Sequence, residues 1–164
     1  MRVRRRRLTT VVGFVYHLYQ GDLDVARVAL ERLREEPFGD DVALEDLSYG
    51  AVAVAQRLEE LAPETLVLVA AAERGREAGT VERRELAAPT AAPAEVQRAV
   101  ADAVTGYIHP DLVVEVAAGL GALPARAVAI ELEPASVEPS ETLTPAAAAA
   151  LPRLLELVRA EVRS

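Results

Sequence analysis

Continuous apolar runs that alternate with segments of helical periodicity constrain the fold of this chain more than any other feature. One such run fills residues 8–16 and a stronger one fills residues 65–72. Runs of this kind are typical of strands that are buried on both faces of a parallel sheet. Residues 22–36 and 51–61 show the spacing of amphipathic helices. The alternation predicts an α/β three-layer sandwich: a mainly parallel, twisted sheet of about five strands with helices on both faces.

The remaining elements follow the same order along the chain. Residues 42–47, 80–86 and 125–134 are predicted strands, and residues 94–104 and 109–123 are predicted helices, with a low-complexity loop at 87–93. Asp22 is a predicted N-cap of the first helix. Thr144 is the predicted cap of the last helix, with Pro145 at its first position. Because we find no repeat and no linker, residues 1–164 are interpreted as a single domain.

Composition excludes several classes of function. The formal net charge of −8 argues against nucleic-acid binding, which needs a positive surface. The absence of cysteine excludes disulfides, thiolate metal sites and cysteine nucleophiles. No stretch of about 20 apolar residues is present to span a membrane, and we expect a cytoplasmic protein. Arg2 and Arg4 to Arg7 are interpreted as a solvated start to the first strand, or else as a contact for anions or a partner.

The carboxyl ends of the strands are the places to look for a site, because open α/β sheets bind ligands there. These places are residues 13–22, 46–50, 70–74 and the surroundings of His109. With only two histidines, His17 and His109, a transition-metal site would need both of them together with carboxylates. Neither a nucleophile elbow nor a phosphate-binding loop is present. The acidic residues near strand ends are candidates for a catalytic carboxylate pair or, alternatively, for helix caps and solvated loops: Asp22, Asp24, Asp46, Glu73 and Asp111.

Residues 127–158 carry a family resemblance. They resemble the closing segment of the hydrogenase maturation proteases, nickel-dependent endopeptidases that trim the C-terminus of the large subunit of NiFe hydrogenases. That family shows a strand V-x-I-x-G-I-E-P, an acidic loop, L-S-P and a final helix with A-L-P. The matching residues, in the same order and spacing, are Ile130, Glu133-Pro134, Leu143-Thr144-Pro145 and Ala150-Leu151-Pro152. Residues 42–50, 64–85 and 107–112 also resemble family segments, so the resemblance covers nearly the whole chain.

The resemblance implies a metal site with three ligands from three strand ends. On the family's first motif, G-N-x-x-x-x-D-D/E-G, Gly13 and Gly21 match, but the metal carboxylate falls on Gln20. The second ligand, an aspartate after the central strand, falls on Ala70, whereas the third, a histidine, is kept as His109.

The same resemblance identifies a substrate-recognition region. Asp46 matches an aspartate that the family associates with substrate recognition, and Gly50 lies in the glycine-containing turn that follows it.

These matches lead to three hypotheses. In the first, the chain is a degenerate member without metal-dependent cleavage and with a vestigial His109, so that no metal cofactor is expected. It then binds a protein partner, a hydrogenase-like large subunit or an assembly factor, through the former substrate groove around Gly13, Gly21, Asp46 and Gly50. The alternative is an active endopeptidase that uses nickel or zinc at a displaced site of Asp22, Glu73 and His109. The third is a structural subunit that only oligomerises.

Overall fold

A five-stranded sheet lies at the centre of the computed structural model, which describes residues 8–86 and 109–163. The strands are β1 (Thr10–Phe14), β2 (Val42–Asp46), β3 (Thr65–Ala71), β4 (Val81–Glu85) and β5 (Arg126–Leu132). They lie in the order β2-β1-β3-β5-β4. Only β4 is antiparallel to its neighbour. The predicted mainly parallel sheet is confirmed.

Helices cover both faces of this sheet, as the sequence predicts. On one face lie α1 (Val25–Leu33) and α4 (Pro145–Arg163); on the other lie α2 (Ala51–Leu61) and α3 (Pro110–Gly119). Alternate residues of β3 point to opposite faces, so Val67 packs with α1 and α4 while Leu68 packs with α2 and α3. Every residue of β3 is buried, which explains why its sequence is apolar without alternation.

Several predicted segments lie outside the described residues: the N-terminal arginines, the loop at 87–93 and the helix at 94–104. The other predicted helices and strands are present, with ends shifted by a few residues. For α2 the predicted bounds, 51–61, are those observed.

One of the two predicted helix caps is correct and the other is wrong. Thr144 Oγ1 accepts a hydrogen bond from the Ala147 amide at 3.3 Å, and Pro145 is the first residue of α4. By contrast, Asp24 is the N-cap of α1, and Asp22 lies in a 3-10 turn, Gly21–Asp24, ahead of it. The carboxylate of Asp22 accepts hydrogen bonds from residues 135–144. A cap is predicted from neighbouring residues alone, so these distant donors could not be foreseen.

The parallel strands bring four loops to one side of the sheet, here called the carboxyl edge. It consists of residues 15–22 after β1, 47–50 after β2, 72–79 after β3 and 133–138 after β5, together with the start of α3. All candidate site residues named above belong to this edge or adjoin it. In the part of the chain that the structure describes, no helix is long and apolar enough to cross a bilayer.

Candidate functional site

The loop after β1 is fastened to the loop after β5. Gln20 Nε2 donates to the carbonyl oxygen of Val137 at 2.7 Å, and the Ser140 amide donates to the carbonyl oxygen of Tyr19 at 2.9 Å. Gly21 has φ +59°, and a Cβ at this position would lie 2.6 Å from the carbonyl oxygen of Ser136. A glycine is therefore needed at 21 so that the two loops can approach this closely.

Asp22 completes the same junction from inside the protein. Its side chain is fully buried. Oδ2 accepts hydrogen bonds from the Ala135 amide at 2.8 Å, the Ser136 amide at 3.3 Å and the Thr144 hydroxyl at 2.7 Å. Oδ1 accepts one from the Thr144 amide at 2.9 Å. The hydrogen bonds of this carboxylate thus join the loop after β1 to the loop after β5 and to the start of α4.

Asp46 ends β2 and binds the neighbouring loop. Its Oδ2 accepts a hydrogen bond from the Tyr16 hydroxyl at 2.6 Å, and its Oδ1 accepts one from the Ser48 amide at 3.0 Å. Burial, together with the hydrogen bond to Asp46, raises the pKa of Tyr16 to about 12. Tyr16 is therefore a neutral donor at physiological pH, and it holds the Asp46 carboxylate in place.

The three glycines of the predicted groove have backbone roles. Gly13 is buried in β1, and a side chain there would collide with Leu47. Gly21 is buried as well, so neither can itself present a surface to a partner. Gly50 is half-buried and is the N-cap of α2, with φ +118°. Its position beside the exposed Tyr49 makes it the one glycine of the three that adjoins solvent-facing side chains.

At the second predicted ligand position, the end of β3, the structure has a cluster of charged residues, of which the sequence analysis singled out Asp111 alone. Ala70 is 1% exposed and pairs in register with Glu131 of β5, which is also 1% exposed. Arg74 donates to Glu131 from Nη2 at 2.8 Å and from Nε at 3.2 Å. Arg84 Nη2 donates to the same carboxylate at 3.1 Å. A glutamate inside the apolar run 127–132 was the feature that could have indicated such a pairing, because a buried charge needs a partner.

His109 reaches this cluster through Asp111. His109 is the N-cap of α3, and its Nδ1 accepts a hydrogen bond from the Asp111 amide at 3.1 Å. Arg74 forms a bidentate pair with the Asp111 carboxylate, with both hydrogen bonds at 2.8 Å. His109 and Ala70 are therefore connected through Asp111, Arg74 and Glu131. We define these last three residues and Arg84 as the Arg74 cluster.

The charges of the Arg74 cluster stabilise its carboxylates in the ionised form. A hydrogen bond from Arg74 lowers the pKa of Asp111 below its ordinary value, against the opposing effect of burial. Burial disfavours the charged form of Glu131, but hydrogen bonds from Arg74 and Arg84 outweigh it and the pKa is lowered. The cluster is therefore an ionised network of two cations and two anions at neutral pH.

The residues at the predicted metal positions do not fit a divalent cation. Ala70 has no ligand atom, Gln20 is neutral, and the Arg74 guanidinium brings a positive charge to the neighbourhood of His109. Among residues 8–86 and 109–163, no group of three or more His, Cys, Asp or Glu side chains could hold a metal ion. This finding also covers the displaced set of Asp22, Glu73 and His109.

Two further features of the carboxyl edge are relevant to binding. A cleft of about 440 Å³ lies between the loops after β3 and β5, with Glu73 and Glu138 among its lining residues. In the described part of the chain, the large hydrophobic side chains that are exposed include Leu18, Tyr19 and Tyr49, each more than half exposed. These three lie on the loops after β1 and β2, which the hydrogen bond between the Tyr16 amide and Ser48 Oγ joins.

Solved structures with the same fold were found by comparison. The hydrogenase maturating endopeptidase HybD from E. coli superposes with a TM-score of 0.71 at 21% identity, over 94% of this chain and 92% of that chain. The maturation protease HycI from Thermococcus kodakarensis KOD1 gives 0.67 at 19% identity, over 96% and 94%. A hydrogenase 2 maturation peptidase from Thaumarchaeota archaeon SCGC_AB-539-E09 gives 0.66 at 18% identity, over 94% and 97%.

These likenesses show that the chain has the fold of the hydrogenase maturation peptidases along nearly its whole described length. They confirm at the level of fold the resemblance seen in the sequence. No family model matches the sequence, and no curated protein matches it.

Proposed function

We propose that this chain binds a protein partner along its carboxyl edge and has lost metal-dependent cleavage. The observation that carries the proposal is the set of side chains at the three ligand positions. Ala70 offers no donor, the Gln20 amide is bonded to the Val137 carbonyl, and the third, His109, adjoins the Arg74–Asp111 ion pair. A single imidazole next to a guanidinium gives a divalent ion too few ligands and no net negative charge.

Partner binding is supported by the exposed hydrophobic side chains of the same edge. Leu18 and Tyr19 lie on the loop after β1, and Tyr49 lies on the loop after β2. Asp46 ends β2 just before that second loop, and its counterpart in the resembling family is associated with substrate recognition. Tyrosine is one of the residue types that most often anchor protein interfaces. The proposed partner is a hydrogenase-like large subunit or an assembly factor, because the solved structures of this fold include hydrogenase maturation peptidases. The complex is proposed to form in the cytoplasm.

The retained His109 favours one alternative, an active metal-dependent endopeptidase. Complex formation and the mass of the large subunit together distinguish partner binding from proteolysis. The purified, tag-free chain is mixed with the hydrogenase large subunit of its source organism, in buffer with NiCl2 and in buffer with EDTA. We expect a stoichiometric complex on size-exclusion chromatography in both buffers, with no change in the intact mass of the large subunit. C-terminal shortening that EDTA and His109→Ala both abolish would show an active peptidase, whereas self-association without a complex would favour a structural subunit.

Matched variants locate the contact surface. Leu18→Glu and Tyr49→Glu place a charge on the carboxyl edge and are each expected to weaken the complex by about tenfold or more. Leu120→Glu is the control, since Leu120 is similarly exposed but follows the far end of α3. Equal weakening by all three variants, or by none, argues against binding through this edge.

A further inference from the structure

The two outermost strands of the described sheet differ in how their open edges are protected. β4 has the sequence VERRE, and four of its five residues are exposed. β2 has the sequence VALED, and all five of its residues are half-buried. Charged side chains on an edge strand oppose pairing with a strand of another chain. The first three positions of β2 lack that protection, because Val42, Ala43 and Leu44 are apolar.

The outer edge of β2 offers unpaired backbone groups. The Asp41 carbonyl oxygen accepts a hydrogen bond from an amide of β1 at 3.1 Å, and the Leu47 amide donates to a carbonyl oxygen of β1 at 2.9 Å. The backbone groups of these odd-numbered residues therefore face β1. Because the direction alternates along a strand, the amide and carbonyl groups of Leu44 and Asp46 point away from β1. In the part of the chain that the structure describes, no other element forms a hydrogen bond with them.

A strand added at this edge would also cover apolar side chains on both faces of β2. Val42 and Leu44 pack against the core on the face of α1 and α4, and Ala43 packs against the core on the face of α2 and α3. All three are only half-buried, since no further strand of the described sheet lies beyond β2. When a peptide extends a sheet, main-chain hydrogen bonds supply affinity and contacts of alternate side chains supply specificity. Both are available at β2.

The charges around β2 indicate which kind of segment fits. Asp41 precedes the strand and is exposed, and Glu45 and Asp46 end it. Of these three carboxylates, only Glu45 forms an ion pair within the described part of the chain, with Arg57 at 2.8 Å. Burial raises the pKa of Tyr49, and the charge of Glu45 raises it further. A segment with Lys or Arg at its ends is therefore complementary to this edge.

The same charges disfavour a second copy of this chain as the occupant. Two copies related by a two-fold axis would pair their β2 strands antiparallel, so that Asp41 of one strand would lie near Asp46 of the other. Like charges on neighbouring strands are destabilising, and the net charge of −8 adds to the repulsion. The charges therefore favour a segment of a different protein.

We propose that β2 is the docking edge for an extended segment of the protein partner, which has an apolar centre between basic ends and adds to the sheet as a further strand. The inference rests on the proposed function, because it states the chemistry of the partner segment. Leu44 and Asp46 provide the backbone hydrogen bonds. The exposed Tyr49 lies on the loop after β2, so the docked segment leads to the hydrophobic side chains of the carboxyl edge.

Amide hydrogen exchange, followed by two-dimensional NMR of the isotope-labelled full chain, tests this docking mode. The probe is a capped peptide R-V-T-V-T-R, compared with E-V-T-V-T-E, which has the same centre and acidic ends. We expect the Leu44 and Asp46 amides to exchange at least about tenfold more slowly with saturating basic peptide than without it. The acidic peptide should leave both rates unchanged. Unchanged rates with the basic peptide, or equal slowing by both peptides, contradict the proposal.

Variants of the backbone edge provide a matched pair. Leu44→Pro removes the outward amide and no hydrogen bond to β1, because proline is tolerated on an edge strand where the N–H faces away from the sheet. It should weaken binding of the basic peptide, titrated in the same spectra, by about tenfold or more. Leu44→Ala keeps the amide and is the control. Equal affinities of folded Leu44→Pro and Leu44→Ala proteins contradict the proposed hydrogen bonds.

A charge-reversal pair decides the question even if Leu44→Pro does not fold. Asp41→Lys should weaken binding of the basic peptide by about threefold or more. Glu85→Lys makes the same change of charge on β4, where Glu85 is exposed, and should leave the affinity unchanged. Equal affinities of these two proteins would show that the charges at β2 do not select the segment.

The remaining outcomes separate this inference from the proposed function. Protection of the Leu44 and Asp46 amides that rises with the concentration of the chain alone means that a second copy occupies the edge, and it overturns the proposal. A large subunit that binds the parent and Leu44→Pro equally well also contradicts it, but leaves the proposed function intact. If the basic peptide binds as expected and no complex with the large subunit forms, only the proposed function is contradicted.

Discussion

Asp22 and Glu131 are both buried at the carboxyl edge, but the protein satisfies the two carboxylates in different ways. Asp22 accepts hydrogen bonds from three backbone amides and a hydroxyl, all within residues 135–144. Glu131 accepts hydrogen bonds from two guanidinium groups, which it shares with Asp111, and a third, that of Arg76, lies 3.9 Å from it. The first arrangement fixes the path of the backbone by short-range hydrogen bonds. The second depends on charge, so it responds to pH, to salt and to any competing cation.

The largest difference between the two carboxylates should appear when each loses its partners. Asp22→Ala takes the buried acceptor away from four donors at once, and we expect a loss of about 4 kcal/mol in the free energy of unfolding. Urea denaturation measures it. Thr144→Val, which removes one of those donors and the cap of α4, should cost about 1–2 kcal/mol. An Asp22→Ala protein more stable than Thr144→Val would contradict the structural role of this carboxylate.

A double-mutant cycle tests the ion pair between Arg74 and Glu131. Arg74→Gln should lower the free energy of unfolding by about 2 kcal/mol, less than the usual cost of breaking a buried pair because Arg84 still contacts Glu131. Glu131→Gln removes the buried charge, so adding Arg74→Gln to it should cost much less than Arg74→Gln alone. Additive effects in urea denaturation would show that the two residues do not stabilise each other.

Acid should destabilise the Arg74 cluster. The pKa of Glu131 is lowered from its ordinary 4.5 and that of Asp111 from 3.8. A lowered carboxyl pKa gives stability that is present above the unfolded-state value and is lost as the pH falls through the folded-state value. The free energy of unfolding should therefore decline as the pH drops below about 4.5. Glu131→Gln should show a shallower decline, though not a flat one, since the pKa values of Glu36, Glu133 and Glu161 are lowered too.

Salt should have the smallest effect. The Arg74–Asp111 pair is partly exposed, with side chains 27% and 42% accessible, so 1 M NaCl should weaken it by less than about 0.5 kcal/mol. Thermal unfolding in 0.05 M and 1 M NaCl, compared between the parent and Arg74→Gln, measures the difference. Asp22→Ala should keep the salt dependence of the parent. If it loses that dependence instead, the contrast between neutral and ionic support at this edge is wrong.

The fold was predictable because it follows from patterns within single segments. The apolar run at 65–72 specifies a strand buried on both faces, and Thr144-Pro145 specifies a helix start, whatever the rest of the chain does. Ala70 could likewise be recognised as lacking a ligand atom from its place near the end of that run. These features need no knowledge of which strands are neighbours.

The partners of the buried carboxylates could not be predicted in this way. Asp22 was assigned to its own helix because its donors lie 113 to 122 residues away in sequence. The contact of Arg74 with Asp111 spans 37 residues and depends on how β3, β5 and α3 meet. Sequence could indicate that Glu131 needs a partner, but only the register of β3 with β5 and of β4 with β5 identifies which arginines reach it.

The consecutive arginines of β4 have a consequence for how this sheet ends. Arg83 pairs with Ile130 in register and binds Glu161 of α4, whereas Arg84 pairs with Ala129 and binds Glu131 and Asp111 on the other face. The last strand of the described sheet is thereby clamped to both helical layers. Sheet edges attract strands of other chains, and an antiparallel edge strand of mixed charges that is held on both faces is a poor template for them. We therefore expect this protein to resist strand-to-strand polymerisation at β4 even when it is concentrated.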